Sequence, residues 1–162
     1  MPPLTIRAAN EEDLPAILAI ERAAFSDPWT EAAFRKTLGQ RPVIATVALD
    51  GRAVVGYSVA WIVGDEAELA TLAVTESRRR AGIGGRLLDA LLDEVDARGG
   101  ATVYLEVRDS NTAAQALYRS RGFVAAGRRA GYYRRPTEDA IVMRRPGPER
   151  GSPGRAEVAG DD

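Results

Sequence analysis

Residues Ser77 to Leu92 read SRRRAGIGGRLLDALL: three arginines, a turn built on Gly82, Gly84 and Gly85, and then an amphipathic stretch. From Gly85 this stretch predicts a helix, with Leu87, Leu88, Leu91, Leu92 and Val95 on one face and Asp89, Asp93, Glu94 and Asp96 opposite. ELATLAV (Glu68 to Val74) reads as a strand before it. ATVYLEVRD (Ala101 to Asp109) reads as a strand after it, with Val103, Leu105 and Val107 alternating with Tyr104, Glu106 and Arg108. Strand, helix and strand in that order imply a right-handed crossover and a parallel pair. The turn also has chemistry of its own. First-turn amides of a helix lack intrahelical partners, and the helix dipole adds positive charge there. Glycine lets an anion approach the backbone, and Arg79 and Arg80 add fixed charge, so the turn reads as an anion site.

The remaining chain arranges itself around this unit. LTIRAA (Leu4 to Ala9) predicts a short first strand. Asn10 then caps a helix, with Asp13 at the capping-box position and Leu14, Ile17, Leu18, Glu21 and Phe25 at helical spacing. SDPWT (Ser26 to Thr30) breaks that helix, and Thr30 caps a second one carrying Phe34 and Leu38 and ending at Gly39. Trp29 in this loop reads either as an apolar plug or as one wall of a pocket. Strands around Val43 to Leu49, Ala53 to Val63 and Ala67 to Val74 are joined by the tight turns Asp50-Gly51 and Gly64-Asp65, predicting an antiparallel meander. Gly99-Gly100 stops the long helix. Asn111 opens another that stops at Gly122, and a final hairpin follows.

Composition narrows the chemistry. The 162 residues are 45% hydrophobic, which suits one core, expected over residues 1–145, with 146–162 as a disordered tail almost free of large apolar side chains. A net charge of −1 gives no global field for nucleic acid. With neither Cys nor His in the chain, a cysteine nucleophile, thiolate metal sites and the commonest general base are excluded, and proton transfer falls to Glu, Asp, Tyr, Lys or water. No segment has signal-peptide character or approaches the roughly 20 apolar residues of a membrane span, which points to a cytoplasmic protein with no membrane partner.

Strand, R-x-x-G-x-G (Arg79, Gly82, Gly84), helix, strand and Asn-initiated helix together resemble the Gcn5-related N-acetyltransferases. LEVRDSNTAAQALYRSRGF, followed by GYYRRPTEDAIVM, resembles their RimI type, which acetylates the N-terminal alanine of the eighteenth small-subunit ribosomal protein; the SDPWT loop fits as well. The resemblance spans roughly Leu4 to Met143. It implies a mixed α/β fold: an antiparallel meander, then a parallel strand–helix–strand unit whose central strands splay apart to admit the pantetheine arm of acetyl-CoA, with no metal. It assigns backbone contacts to Leu72, Ala73 and Val74. It assigns pyrophosphate contacts to the turn of Arg79, Arg80, Ala81, Gly82, Ile83, Gly84 and Gly85, and an arm contact to Asn111. Read alone, Arg78 to Arg80 is a solvated run and Asn111 an N-cap.

Acetyl transfer to an amine needs a neutral nucleophile, a donor for the oxyanion and a proton for the departing thiolate. Without cysteine, direct transfer in a ternary complex is the simplest course. An α-amino group of pKa about 8 needs less help from a base than a lysine near 10.4. The matching Glu of the resembled family is the proton acceptor, which assigns that role to Glu106, working through water; its alternative is an exposed carboxylate paired with Arg108. Tyr118, two helical turns after Asn111 and on the face of Ala114, is the candidate acid; its alternative is a core tyrosine with a surface hydroxyl. A backbone N–H near Ala73 or Val74 is the expected oxyanion donor. The resemblance places acceptor contacts at Tyr132 and Tyr133, with Trp29 as a pocket wall, while read alone the hairpin is a solvated tip; Glu138 and Asp139 are one option for steering a cationic N-terminus. Arg134 and Arg135 beside the tyrosines leave RNA contact open, against the net charge. Thr71 stands where many RimI-like sequences carry Asn. Other acceptors, such as further N-termini, lysines or a small amine, and a non-catalytic acetyl-CoA-binding module remain competing readings.

Overall fold

The computed structural model describes residues 4–40 and 42–147. The elements run β1 (Leu4–Ala8), α1 (Leu14–Ala24), α2 (Glu31–Gln40), β2 (Val43–Asp50), β3 (Ala53–Val63), β4 (Glu66–Val74), α3 (Ile83–Ala97), β5 (Thr102–Arg108), α4 (Thr112–Ser120), β6 (Val124–Tyr133) and β7 (Glu138–Arg145). Among the described residues, the strands form one mixed sheet in the order β1-β2-β3-β4-β5-β7-β6, antiparallel except for the β4–β5 pair. The last hairpin is inserted with β7, not β6, against β5. No helix among the described residues is long and apolar enough to cross a membrane.

Apolar periodicity divides the helices between the two faces. Leu88, Leu91 and Val95 of α3 pack with Leu105 and Val107 of β5 and with Tyr118 and Phe123. Leu14, Ile17 and Leu18 of α1 and Phe34 of α2 pack on Val47, Tyr57 and Val59 across the sheet. Gly56 allows α3 to lie close. A Cβ there would stand 3.0 Å from Leu87 Cδ1 and 3.2 Å from the Ala73 carbonyl oxygen.

Local signals act largely as their chemistry dictates. Asn10 Oδ1 accepts from the Glu12 amide at 2.9 Å, and the Asn10 amide donates to Asp13 Oδ2 at 2.8 Å. This box opens a 3₁₀ turn, Glu11–Asp13, that leads into α1. Thr30 Oγ1 caps α2 through the Ala33 amide at 3.1 Å. Three expectations shift. Phe25 leaves the helix in extended conformation and is 39% exposed instead of lining the apolar face. Gly39 does not end α2, which continues to Gln40. The long helix begins at Ile83, two residues before Gly85. Of the expected tail, the Gly147 amide donates to Thr102 Oγ1 at 3.0 Å, and residues 148–162 lie outside the described residues.

Candidate active site

The site is organised by a divergence. β4 pairs with β5 only over Glu66–Glu68 against Thr102–Tyr104. Beyond Glu68 the two strands part, and residues 69–74 present an edge that β5 does not occupy. A bulge starts the same stretch: Val59 pairs with Thr71 and Ala60 with Leu69, so Ala70 is extra. It turns the strand over. Ala67 and Leu69 face the α3 core, whereas Thr71 reaches Glu21 on α1 and Ala73 joins the α1 core. Strict alternation would put Leu69 and Thr71 on one face; the bulge separates them.

At one end of the gap lies the Gly-rich turn. Gly82 is left-handed at φ 79°, as is Arg80 at φ 68°, and Gly82 is the N-cap of α3. The first intrahelical bond runs from the Arg86 amide to Gly82 O at 3.1 Å, and among the described residues no side chain caps the amides ahead of it. Ile83, Gly84 and Gly85 therefore present a helix N-terminus with its donors uncovered, beside a backbone that alternates in hand, both features of an anion cradle. The arginines differ from one another. Arg78 pairs with Asp50 at 2.7 Å, and Arg79 Nε is held by Val74 O at 3.1 Å, so the turn is tied to the end of β4. Arg80 makes no ion pair among the described residues.

At the other end stand the candidate base and acid. Glu106 projects from β5 on the face opposite Leu105 and Val107, and its side chain is 19% exposed. Its partner is not Arg108; Arg129 Nη1 on β6 lies 3.2 Å from Glu106 Oε2. Tyr118 is buried on the α3 side, edge-on to Phe123 with centroids 5.7 Å apart. Its hydroxyl has no hydrogen-bond partner among the described residues, in place of the surface-exposed hydroxyl of the bland alternative, and burial pushes the phenol up to about 12. An orphaned donor buried beside the gap fits a sulfur-bearing arm entering there. Asn111 Oδ1 accepts from the Ala114 amide at 3.1 Å and so caps α4, while Gln115 Nε2 donates to the carbonyls of Arg108 and Asp109 at 3.0 Å each. Gln115, unremarked in the sequence, thereby anchors the helix of Tyr118 to the strand of Glu106.

The opposite face of the gap carries the aromatic groups. Tyr132 and Tyr133 meet edge-to-face at 5.0 Å, with Arg129 over the first ring and Arg108 over the second, each 4.6 Å from the centroid. Burial, then the charge of Glu106, raises the Tyr132 phenol, and Tyr133 is raised by burial and its neighbours, among them Tyr132, Glu106 and Tyr118. The hairpin, the candidate base and the candidate acid thus share one electrostatic neighbourhood. Trp29 is half-buried, tilted on Phe34 at 4.8 Å and stacked near Trp61 at 6.3 Å. Its amide donates to Glu21 Oε2 at 2.9 Å. Buried Glu21 also accepts from the hydroxyls of Tyr57 and Thr71 through Oε1. Glu138 and Asp139 are not free to steer a ligand. Glu138 accepts from the Ser110 amide and pairs with Arg108, and Asp139 accepts from the Gly131 amide and pairs with Arg128. A cavity of about 730 Å³ lies elsewhere, lined by β1, β2, α1, α2 and the C-terminal half of α3, and none of these candidate residues lines it.

Comparison with known proteins bears on this geometry. A model of the acetyltransferase (GNAT) family matches residues 14–123. A [ribosomal protein bS18]-alanine N-acetyltransferase of Escherichia coli (strain K12) is 42% identical over 146 residues, covering 88% of this chain and 97% of the relative. The N-alpha-acetyltransferase RimI of Mycobacterium tuberculosis is 42% identical over 149 residues, covering 88% and 92%. The crystal structure of the ribosomal-protein-S18-alanine N-acetyltransferase from Escherichia coli superposes with a TM-score of 0.87 at 39% identity, covering 93% of this chain and 97% of that one.

Proposed function

Because the chain belongs to the acetyltransferase (GNAT) family, we propose that it transfers acetyl from acetyl-CoA to the N-terminal alanine of a small-subunit ribosomal protein, directly within a ternary complex. The observation that carries this reading is the gap between β4 and β5, with an uncapped helix N-terminus at one end and Glu106 with Tyr118 at the other. Support for the acceptor comes from relatives 42% identical over 88% of the chain.

In this reading the residues divide the work. The amides of Ile83, Gly84 and Gly85, with Arg80, hold the pyrophosphate; the turn of Arg79, Ala81 and Gly82 shapes the cradle. The edge of Leu72, Ala73 and Val74 takes the arm as an added strand would, with Asn111 on its far side. Acetyl-CoA supplies the activated thioester, and no metal is required. Glu106 receives the amine proton, through water, on the face opposite the α3 core. Tyr118 donates to the departing sulfur from within that core. A phenol near 12 holds its proton more tightly than a free thiol near 8.5. Burial raises a thiolate's proton affinity too, so the gap narrows in the site, and hydrogen-bond donation comes first. Trp29, Tyr132 and Tyr133 border the acceptor.

The test is direct. The purified chain is incubated with acetyl-CoA and peptides beginning with Ala, Ser or Met, or carrying an internal Lys, and thiol release is measured. Release with the Ala peptide is expected. No release with any amine overturns the enzyme reading, and release with lysine alone overturns the N-terminal one.

A further inference from the structure

The loop between α1 and α2 and the turn between β6 and β7 come from distant parts of the chain, yet both reach one guanidinium. Arg108 Nη2 donates to Ser26 Oγ at 3.1 Å and to the Arg134 carbonyl at 2.8 Å. Its Nη1 donates to the Pro136 carbonyl at 3.1 Å and to Glu138 Oε1 at 3.2 Å, and the plane covers the Tyr133 ring. Ser26 Oγ itself donates to the Arg134 carbonyl at 3.3 Å. The other oxygen of Glu138 accepts from the Ser110 amide, at the corner where β5 passes into α4. Arg108 follows Glu106 by two residues on the same strand face, so its backbone position is fixed by the strand that bears the candidate base.

We propose that Arg108 is a positioning residue that assembles the acceptor site: it fastens the Trp29 loop and the Tyr132–Tyr133 hairpin to the strand of Glu106. The inference rests on the N-terminal acetyltransferase reading above. A planar fork is what the arrangement needs. Its two terminal nitrogens address four oxygens on three segments while the face lies on an aromatic ring, which an ammonium does not reproduce. The side chain does not reach the Gly-rich turn, so its effect falls on the acceptor and not on the coenzyme. The Ser26 Oγ–Arg134 carbonyl bond, at 3.3 Å, is a further link between the two clamped segments. Elsewhere the ion pair of Arg135 with Asp27 is long, at 3.8 Å, and mostly exposed.

The experiment compares wild type with Arg108→Lys, Arg108→Met, Ser26→Ala and the Ser26→Ala/Arg108→Met double variant. Initial rates are measured with an Ala-initiated peptide at saturating acetyl-CoA and with the two substrates exchanged. Losing hydrogen bonds to a charged donor predicts a peptide KM raised about 10- to 100-fold in Arg108→Met, with partial recovery in Arg108→Lys, while the acetyl-CoA KM stays within about twofold. Ser26→Ala raises the peptide KM about threefold, and adding it to Arg108→Met costs less than it does in the wild type, because the bond between the two side chains is already lost and only the Ser26–Arg134 contact remains to be removed. An unchanged peptide KM in an active Arg108→Met enzyme overturns the proposal. So does a parallel rise of both KM values with a lowered melting temperature, which marks a merely structural role. If the Arg108 variants do not fold, Ser26→Ala decides by the same split between the two KM values. Absence of thiol release by the wild type with any amine is distinct: it removes the function itself and the proposal with it.

Discussion

Arg129 Nη1 lies 3.2 Å from Glu106 Oε2 while the same guanidinium covers the Tyr132 ring. The candidate base is therefore already engaged by a cation that an incoming amine must displace or share. Arg129 is largely exposed, so the pair is worth about 0.2–1 kcal/mol. Arg129→Ala is expected to raise kcat/KM for an Ala-initiated peptide by roughly two- to fivefold at low salt, with the gain shrinking as salt is added. A drop in kcat/KM would mean that Arg129 holds the acceptor instead of competing with it.

Glu106→Gln preserves size and removes the carboxylate. General-base catalysis typically contributes about 10²- to 10⁴-fold, so kcat should fall by that order, while acetyl-CoA affinity by calorimetry stays unchanged. A kcat within a factor of about three of wild type assigns the proton to solvent alone.

Tyr118→Phe separates catalysis from packing. The hydroxyl is buried with no hydrogen-bond partner among the described residues, so its removal should leave stability at pH 7 within about 0.5 kcal/mol or raise it slightly, while kcat drops far more than coenzyme affinity. The same variant has a pH signature. The folded state holds the phenolic proton up to about 12, whereas the unfolded chain loses it near 10. Stability from this group is intact below pH 10 and falls as pH rises from 10 towards 12, by on the order of 2–3 kcal/mol. Denaturant titrations across that range should show a shallower decline in Tyr118→Phe. Identical slopes in the two proteins would be incompatible with a buried phenol.

Glu21→Ala should be the most damaging change away from the gap. Three donors, the amide of Trp29 and the hydroxyls of Tyr57 and Thr71, lose one buried acceptor. A loss of about 3–5 kcal/mol is expected from the urea midpoint, with red-shifted tryptophan emission as the Trp29 loop loosens. Thr71→Val, which removes one donor only, should cost about 1–3 kcal/mol. Equal costs for the two variants would show that the carboxylate is not the centre of the cluster.

Gly82→Ala probes the coenzyme end. Nothing lies within 4 Å of a Cβ there, so the penalty is the left-handed backbone at φ 79°, about 1–2 kcal/mol. Either the turn rearranges or the folded state bears the strain. The acetyl-CoA dissociation constant should rise about tenfold with the peptide KM little changed. A coenzyme affinity equal to wild type would uncouple the turn from the coenzyme.

The residues that sequence reading located are those whose signal is local. A capping box, an apolar helical stripe, tight turns and a Gly-rich helix start each express chemistry between near neighbours, and Asn10, Leu91 and Gly82 lie where that chemistry puts them. Glu106 and Tyr118 were legible for a second reason, the resemblance carried by the strand and helix that hold them. The resemblance covers Arg108 and Gln115 as well but assigns neither a role. Their partners lie on segments remote in sequence or in backbone carbonyls, and an arginine on an alternating strand looks the same whether it is solvated or clamps two loops.

The sequence by itself determined that this chain folds as a mixed α/β structure with a Gly-rich turn, a candidate anion cradle, at one helix start, and that no cysteine or histidine takes part in its chemistry. Tertiary structure alone decided how the candidate cradle, base and acid are placed about one gap. The β4–β5 pair ends at Glu68, the bulge at Ala70 turns Thr71 towards α1, and Glu106 pairs across the sheet with Arg129, not along its own strand with Arg108. The physical reason is that period-two alternation assigns faces only while a strand remains regular. Which partner a charged side chain meets depends on strands that the sequence brings together only after folding.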